Sequence, residues 1–426
     1  MAGSKRGKHA YEHRERKTGH EEPRWSALRH VFNDTQVRCP ANHLLKDELE
    51  TSGRAFPSSQ ALKGTLQPVD AERRAMVGQG LSEVQTWLAP RSDASMRARQ
   101  IFRWIYQKRA GSFEEMTDLP ADLRAELSTQ FRIDPLSIGR HVVSRDGVHK
   151  LLAHGGDEQS FECVLLPFED RVSCCLSSQV GCPMGCKFCA TGLGGYDRDL
   201  TPQEIVSQFV LLQRLTDRRI SHLVMMGMGE PLLNLAHVVE ALRFLHEHAG
   251  ISYRRMTLST VGIVPKIREL AELELPIHLA LSLHSPIDRI RDTLMPVNKR
   301  WPVSEVVQAM KDYQARTGRK ITVEYLLIAG VTDTEEQAER LASLFRGVPH
   351  VVNLIPYNAV STDEGFARPK PEAIRKFRRV LESRRVQVTQ RVERGHDVAA
   401  ACGQLAGEHQ GRFARRSKSS GLPVSA

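Results

Sequence analysis

The second half of the chain alternates short apolar segments with longer segments whose apolar residues recur at helical spacing. The apolar segments, interpreted as strands, are 222–227, 254–260, 277–283, 321–328, 351–355 and 386–390. The helical segments are 201–215, 235–248, 264–273, 303–314, 335–345 and 372–383. This alternation predicts an α/β fold in which helices cover a parallel sheet, as a complete or a partial barrel. We therefore expect the site residues at the carboxyl ends of the strands.

The remaining sequence divides by pattern into regions of different character. Residues 1–67 are polar and basic without sustained periodicity, which predicts a mostly disordered extension. Residues 68–135 contain short amphipathic helices and are interpreted as a small helical domain. Residues 136–175 are typical of strands and lead through a hairpin into the core at 176–395. The last segment, 396–426, contains a basic tail at 412–418. We expect this tail to contact phosphates.

Composition narrows the class of protein. With 426 residues, of which 41% are hydrophobic, the chain can bury a full catalytic domain. It has no apolar run of about 18 residues and no apolar export signal, so we expect a cytoplasmic protein without a membrane span. The net charge of +10 suits a polyanionic partner, and cations on the helical domain fit either RNA backbone contact or a solvated helix face. These cations are Arg97, Arg99, Arg103, Lys108 and Arg109.

Three of the eight cysteines form a compact motif. Cys182, Cys186 and Cys189 have the spacing C-x3-C-x2-C and supply three thiolates from one loop, which we expect at the surface. Three thiolates suit a [4Fe–4S] cluster, because its fourth iron then stays open for a ligand. A structural zinc site is the alternative, but zinc takes four ligands, usually as two pairs, and the chain has no second C-x2-C pair.

Cys402 lies near the end of the chain among alanines and glycine, where a lone cysteine is usually a small packing residue. Other motifs change that interpretation: CLSSQVGCPMGCKFCATG, GMGEPLLNL, RRMTLSTVG, ALSLHSP, NLIPYN and RGHDVAAACGQLAG. With them the chain resembles the RlmN/Cfr family of radical S-adenosylmethionine (SAM) RNA methyltransferases over residues 162–407. The resemblance implies a partial (β/α) radical SAM barrel with an N-terminal helical RNA-binding accessory domain and a C-terminal catalytic-cysteine segment. It also implies one [4Fe–4S] cluster and two SAM molecules per turnover.

Polar residues that follow the predicted strands are the candidate SAM ligands. In GMGEP, 227–231, the glycines allow close backbone approach, and the Glu230 carboxylate suits the amino group of SAM. Each residue alone would be an ordinary strand-end residue, but together they predict a polar ring around one bound molecule. The set is Gly229, Glu230, Ser259, Ser282, Leu283, His284 and Asn358.

The resemblance also assigns catalytic roles. Cys402 would accept a methyl group from one SAM, and a radical generated from a second SAM would remove hydrogen from that S-methyl group. The carbon would then join an adenine, and Cys175 would release the product through a transient disulfide with Cys402. Cys174 stands beside Cys175; the position in the motif favours Cys175, and adjacent strand residues point to opposite faces. Glu162 matches a general base, a role for which Cys175 competes.

Three functions stay open at this point. The motifs GMGEPLLN and ACGQLAG favour methylation of adenine C2 in 23S rRNA and tRNA over Cfr-like methylation of C8. A non-catalytic, zinc-stabilised RNA-binding protein is the alternative from another class. For the enzyme we expect a monomer that receives electrons from a donor such as flavodoxin or ferredoxin.

Overall fold

The computed structural model describes residues 73–362, 364–392 and 394–406. The predicted extension at 1–67 and the basic tail at 412–418 lie outside these residues.

The N-terminal part is helical, as the sequence predicts. Its elements are β1 (Arg74–Ala75), α1 (Leu81–Leu88), α2 (Ala94–Tyr106), α3 (Ala121–Gln130) and β2 (Phe131–Arg132). Strands β1 and β2 pair in parallel and so bring the two ends of this region together. Each helix buries one apolar face, for example Ile101 and Ile105 of α2 and Leu123 and Leu127 of α3.

The cations of this helical region are only partly available to RNA. Arg97 forms an ion pair with Asp93 at 2.7 Å, and the Lys108 ammonium lies 3.5 Å from the centroid of the Trp104 ring. Arg109 donates to the backbone carbonyls of Thr216 and Asp217 and thereby ties the region to the core. Three of the five cations therefore have partners within the protein. Three of the five, Arg99, Arg103 and Lys108, are exposed.

The core is built on one ten-stranded sheet with the order β14-β13-β12-β11-β10-β9-β6-β5-β4-β3. Strands β6 and β9 to β14 pair in parallel, whereas β3, β4, β5 and β6 form an antiparallel meander. The bounds are β3 Ser137–Val143, β4 His149–His154, β5 Ser160–Pro167, β6 Val172–Cys175, β9 Ile220–Met225, β10 Met256–Thr260, β11 His278–Ser282, β12 Ile321–Leu327, β13 His350–Pro356 and β14 Val388–Gln390. This is an open, partial (β/α) barrel, as expected.

Seven helices connect the parallel strands within the described residues, and six of them lie at the predicted positions. They are α5 Pro202–Arg214, α6 Leu235–His248, α7 Val264–Glu272, α8 Asp288–Leu294, α9 Val303–Thr317, α10 Glu335–Leu344 and α11 Pro371–Ser383, with 3₁₀ helices at Tyr253–Arg255, Pro296–Lys299 and His396–Val398. Helix α5 begins with a capping box, in which the Thr201 hydroxyl accepts from the Glu204 N–H and the Glu204 carboxylate accepts from the Thr201 N–H. Helix α8, which carries the buried Arg291, was not predicted from the sequence.

A short hairpin and a short helix frame the cysteine motif. The hairpin consists of β7 (Gln179–Gly181) and β8 (Tyr196–Asp199), and the helix between them is α4 (Ala190–Gly194). Because β6 leads directly into this hairpin, the motif lies over the carboxyl ends of the parallel strands. Within the described ranges, no helix combines the length and apolar character needed to cross a membrane.

Candidate functional site

The cysteine motif is folded into the body of the protein. The Cys182 N–H donates to the Gly195 carbonyl at 2.6 Å, and Gly181 has a left-handed φ of +78° at this point. A Cβ on Gly181 would lie 2.2 Å from the same carbonyl oxygen, so only glycine allows the two strands to approach this closely. Cys182 and Cys186 are buried, and the expectation of a surface loop was wrong.

The three thiols fit an iron–sulfur cluster better than a single metal ion. Burial raises the pKa of each thiol, and the charges of its neighbours raise those of Cys182 and Cys186 further, so the three form one electrostatic group. Among the described residues, no three histidine, cysteine or acidic side chains converge closely enough to hold one metal ion. A mononuclear zinc site needs such convergence, whereas a four-iron cluster takes one thiolate on each of three irons.

The same three cysteines line a cavity of about 160 Å³ at the carboxyl ends of the strands. Glu230 lies in this cavity and is 2% exposed. Its two oxygens accept from the N–H groups of Leu232, at 3.0 Å, and Val261, at 2.9 Å. Burial raises the pKa of Glu230 to about 7, because few solvating groups surround the charge. The carboxylate is therefore fixed in place and suited to an ammonium or amino group.

Gly229 holds the turn that places Glu230. Its φ is +105°, and a Cβ there would lie 2.6 Å from the Ser178 hydroxyl oxygen. The Glu230 N–H donates to the side chain of Gln179 at 2.8 Å, which fastens this turn to the hairpin beside the cysteine motif.

The other predicted SAM ligands lie in the last residues of β10 and β11 or shortly after β11 and β13. The hydroxyls of Ser259 and Ser282 lie 3.3 Å apart across two neighbouring strands. His284 accepts the Leu326 N–H at Nδ1, and burial lowers its pKa to about 3, so the ring is neutral and Nε2 can donate. Asn358 donates to the Cys402 carbonyl at 3.2 Å, while its buried Oδ1 has no hydrogen-bond partner among the described residues.

Leu283 differs from the rest of the predicted set. Its side chain is fully buried, and it is absent from the described residues that line the cavity. Its carbonyl instead accepts from the buried guanidinium of Arg291 at 3.0 Å. Arg291 also donates to the Val261 carbonyl at 2.6 Å, so it ties the ends of β10 and β11 together.

A second cavity adjoins the first, and Cys402 lies between them. Cys402, Asn358 and Arg391 line both cavities. Cys175 lines the second cavity, and burial raises its pKa to about 12, with Cys402 adding to the shift and Arg391 opposing it. The structure therefore brings Cys175 and Cys402 to one cavity.

Cys174 lies on the opposite face of β6. Strand β5 pairs Val164 with Cys175 and Leu165 with Cys174, and side chains alternate along each strand. The Cys174 thiol lies 3.7 Å from the His222 carbonyl, away from the cavity that Cys175 lines. None of the seven cysteines in the described ranges forms a disulfide, so Cys175 and Cys402, expected to form a transient disulfide during turnover, are both free thiols in this structure.

Two charged residues of the site were not predicted from the sequence. Glu324, in the middle of β12, and Arg391, directly after β14, both line the first cavity. Glu324 accepts from Asn353 at 2.8 Å and is buried, and burial raises its pKa while Arg391 opposes that shift. The signal for Glu324 was an acid inside an apolar strand, which is rare without a partner. Arg391 had no comparable local signal.

Glu162 lies on β5, outside both cavities as their described linings define them. It forms an ion pair with Lys150 at 2.9 Å and accepts from the Ala406 N–H at 2.9 Å. Through Ala406, Glu162 therefore contacts the segment that carries Cys402.

Comparison with known proteins agrees with this geometry. The family model described as "Radical SAM superfamily" matches residues 176–342, and the one described as "Ribosomal RNA large subunit methyltransferase N-terminal domain" matches residues 76–133. The chain is 44% identical to a probable dual-specificity RNA methyltransferase RlmN from Symbiobacterium thermophilum, over 80% of this chain and 94% of that protein. The corresponding protein of Bacillus subtilis is 42% identical over 78% of this chain and 93% of its own length.

A solved structure is similar over the same region. It is a radical SAM methyltransferase from Sphaerobacter thermophilus, with 43% identity, a TM-score of 0.74, and coverage of 78% of this chain and 99% of that one.

Proposed function

The chain belongs to the RlmN family of radical SAM RNA methyltransferases, and from that premise we propose that it methylates C2 of specific adenines in 23S rRNA and in tRNA. The reaction proceeds through an S-methylcysteine at Cys402. The observation that carries this proposal is the position of Cys402 between the cavity of the cysteine motif and the cavity of Cys175. A residue at that boundary can receive a methyl group from one side and deliver it to the other.

The first cavity has the residues to hold both cofactors. Cys182, Cys186 and Cys189 would hold a [4Fe–4S] cluster, and Glu230 would accept from the amino group of SAM. When bound, the cluster and SAM supply a carbon radical that can remove hydrogen from a methyl group, and they exchange the electrons of the reaction. The protein positions these groups and limits the access of water.

Cys402 carries the methyl group as a thioether. Adenine C2 is a weakly electrophilic ring carbon, so direct displacement from a sulfonium does not reach it, whereas a carbon radical held on the Cys402 sulfur can add to it. The product of this addition, after loss of one electron, is a cationic adduct in which the RNA is joined to Cys402 through the new C–C bond and C2 still carries its hydrogen. Asn358 fixes the carbonyl of Cys402 and so limits the positions of its sulfur.

Cys175 releases the product. Its thiolate takes up the proton at C2, which restores the aromatic ring. The thiol so formed loses this proton as its sulfur attacks the Cys402 sulfur, the S–CH2 bond breaks, and the carbon takes the electron pair and a proton to become the methyl group. A disulfide between the two cysteines results, and an external thiol reduces it. The nearby Arg391 favours the thiolate of Cys175, because it opposes the rise in pKa that burial causes.

The RNA must present an unstacked adenine to reach these buried thiols, so loops are preferred over duplexes. We assign the activity to a monomer in the cytoplasm, served by an electron donor of the flavodoxin or ferredoxin type.

A matched pair of cysteine variants tests the mechanism. With Cys402 already methylated, Cys175→Ala should accumulate a covalent protein–RNA species that survives denaturing electrophoresis. Cys174→Ala, its neighbour on the opposite face, should turn over nearly normally. Cys402→Ala should transfer no methyl group to protein or RNA. A crosslink in Cys174→Ala and not in Cys175→Ala would reverse the assignment, and a crosslink in neither would refute the two-thiol mechanism.

Two further measurements address the alternatives. Mass spectrometry of rRNA and tRNA from a deletion strain, mapped to adenine C2 or C8, decides the position of methylation. Anaerobic purification should give brown protein with about four irons per chain. Colourless protein with stoichiometric zinc would instead support the non-catalytic RNA-binding protein.

A further inference from the structure

The segment that carries Cys402 has little regular structure and is held by side chains from distant parts of the chain. At its start, the Gly395 N–H donates to Asp146 at 3.1 Å, and the Arg145 N–H donates to Asp397 at 3.1 Å. Close to Cys402, the Ala190 N–H donates to the Gly403 carbonyl at 2.8 Å. The position of the Cys402 sulfur therefore depends on tertiary contacts rather than on a helix or a strand.

One largely buried ion pair contacts this segment on both sides of Cys402. The Lys150 ammonium lies 2.9 Å from one oxygen of Glu162 and donates to the Ala399 carbonyl at 3.2 Å. The other oxygen of Glu162 accepts from the Ala406 N–H at 2.9 Å. Lys150 thus holds the chain before Cys402, and Glu162 holds it after Cys402.

The backbone at Ala399 needs such support. Its φ is +49°, the left-handed region, in which a residue with a Cβ is strained. The charged hydrogen bond from Lys150 fixes the carbonyl of this strained residue. Because the side chains of Lys150 and Glu162 are 14% and 9% exposed, loss of either partner would leave a nearly buried charge uncompensated.

The contacts of Glu162 suit a residue that positions the Cys402 segment better than a residue that transfers a proton. Each carboxylate oxygen of Glu162 has a defined partner. Glu162 is not among the described residues that line the two cavities. A general base must come within hydrogen-bond reach of the proton that it removes. Cys175, which lines the second cavity together with Cys402, has the access that a base needs.

We propose that Lys150 and Glu162 are positioning residues, a charged clasp that holds the Cys402 segment between the two cavities. The inference rests on the proposed function only in taking Cys402 as the methyl carrier. The clasp acts before chemistry, so its loss impairs the first methylation of Cys402. A base acts only after the new C–C bond exists, so its loss spares that methylation.

The test uses the full-length, cluster-loaded protein and the variants Lys150→Met, Glu162→Ala and Glu162→Gln. Hydrogen exchange of the peptide that spans 395–406 should accelerate by about tenfold or more in Lys150→Met and Glu162→Ala. S-methylation of Cys402 by SAM, measured by mass spectrometry without RNA, should slow in the same two variants. Glu162→Gln should retain more of both properties, because its amide oxygen can still accept from the Ala406 N–H.

Asp134→Asn is the matched control, since Asp134 forms a similarly buried ion pair with Arg214 away from both cavities. It should change neither the exchange at 395–406 nor the methylation of Cys402. Normal exchange and normal Cys402 methylation in Lys150→Met and Glu162→Ala would overturn the clasp. A stalled protein–RNA adduct in Glu162→Gln, with normal exchange, would overturn it as well and make Glu162 the base. The exchange measurement needs no turnover, so it tests the clasp even if the methyltransferase mechanism fails.

Discussion

Glu230 offers the sharpest test of the SAM site, through the substitution Glu230→Gln. In the native protein one oxygen of Glu230 accepts from the Leu232 N–H and the other from the Val261 N–H. A glutamine has only one such oxygen, so its NH2 group must face one of these N–H donors. The substitution removes the negative charge and leaves one buried backbone donor without an acceptor.

Two magnitudes follow from this geometry. The unpaired donor should lower the free energy of unfolding by about 1–3 kcal/mol. Loss of a charged hydrogen bond to the SAM amino group, worth about 1.5–3 kcal/mol, should raise the Kd for SAM by about 10- to 150-fold.

The pH dependence gives an independent signature. Burial raises the pKa of Glu230 to about 7, so the carboxylate is mostly ionised at pH 8 and mostly protonated at pH 6. Since only the ionised form attracts the amino group, affinity should fall by about tenfold as the pH drops from 8 to 6. Glu230→Gln lacks this titration, so any pH dependence that remains in the variant comes from groups other than Glu230.

The assay is SAM binding to cluster-loaded protein by equilibrium dialysis at several pH values, with stability measured by denaturant. Glu204→Gln is the control, because Glu204 is also a buried acid, pairs with Arg198 and lies outside both cavities. It should lower stability and leave the Kd unchanged. A Glu230→Gln protein with native SAM affinity and the native pH profile would refute the ligand assignment.

Three further predictions concern the cavity, the cluster and the RNA. Gly229→Ala forces a Cβ into a left-handed residue beside the Ser178 hydroxyl, so stability measured by denaturant should fall by about 1–3 kcal/mol; unchanged stability would show that the turn can adjust. Cys186→Ala should abolish iron retention, measured by iron analysis, and lower stability by about 1 kcal/mol because its thiol is buried; retained SAM cleavage would contradict the ligand assignment. Neutralising the cations of the tail at 412–418 should flatten the log–log dependence of RNA affinity on salt; an unchanged slope would mean that the tail makes no phosphate contacts.

The sequence by itself determined the elements and the set of reactive residue types. The spacing of apolar residues predicts a strand at 321–328 and a helix at 235–248. The structure has β12 at Ile321–Leu327 and α6 at Leu235–His248. Periodicity is a local property, so the strands and helices that cover the barrel could be predicted without knowledge of their partners. The cysteine spacing likewise put three thiols into one loop, and the glycines of GMGEP marked a close backbone approach.

Only the tertiary structure decided which of these residues meet. The alternation of side chains along β6 places Cys174 and Cys175 on opposite faces. Which of the two faces is turned to Cys402 depends on the pairing of β6 with β5 and on the path of the last segment. Lys150 and Ala399 are 249 residues apart, and nothing in the local pattern of either predicts their contact. The same holds for the burial of the cysteine loop and for Arg391, which directly follows β14 and belongs to none of the motifs. Contacts between distant segments depend on the packing of the whole sheet, and a local pattern of apolar and polar residues does not specify them.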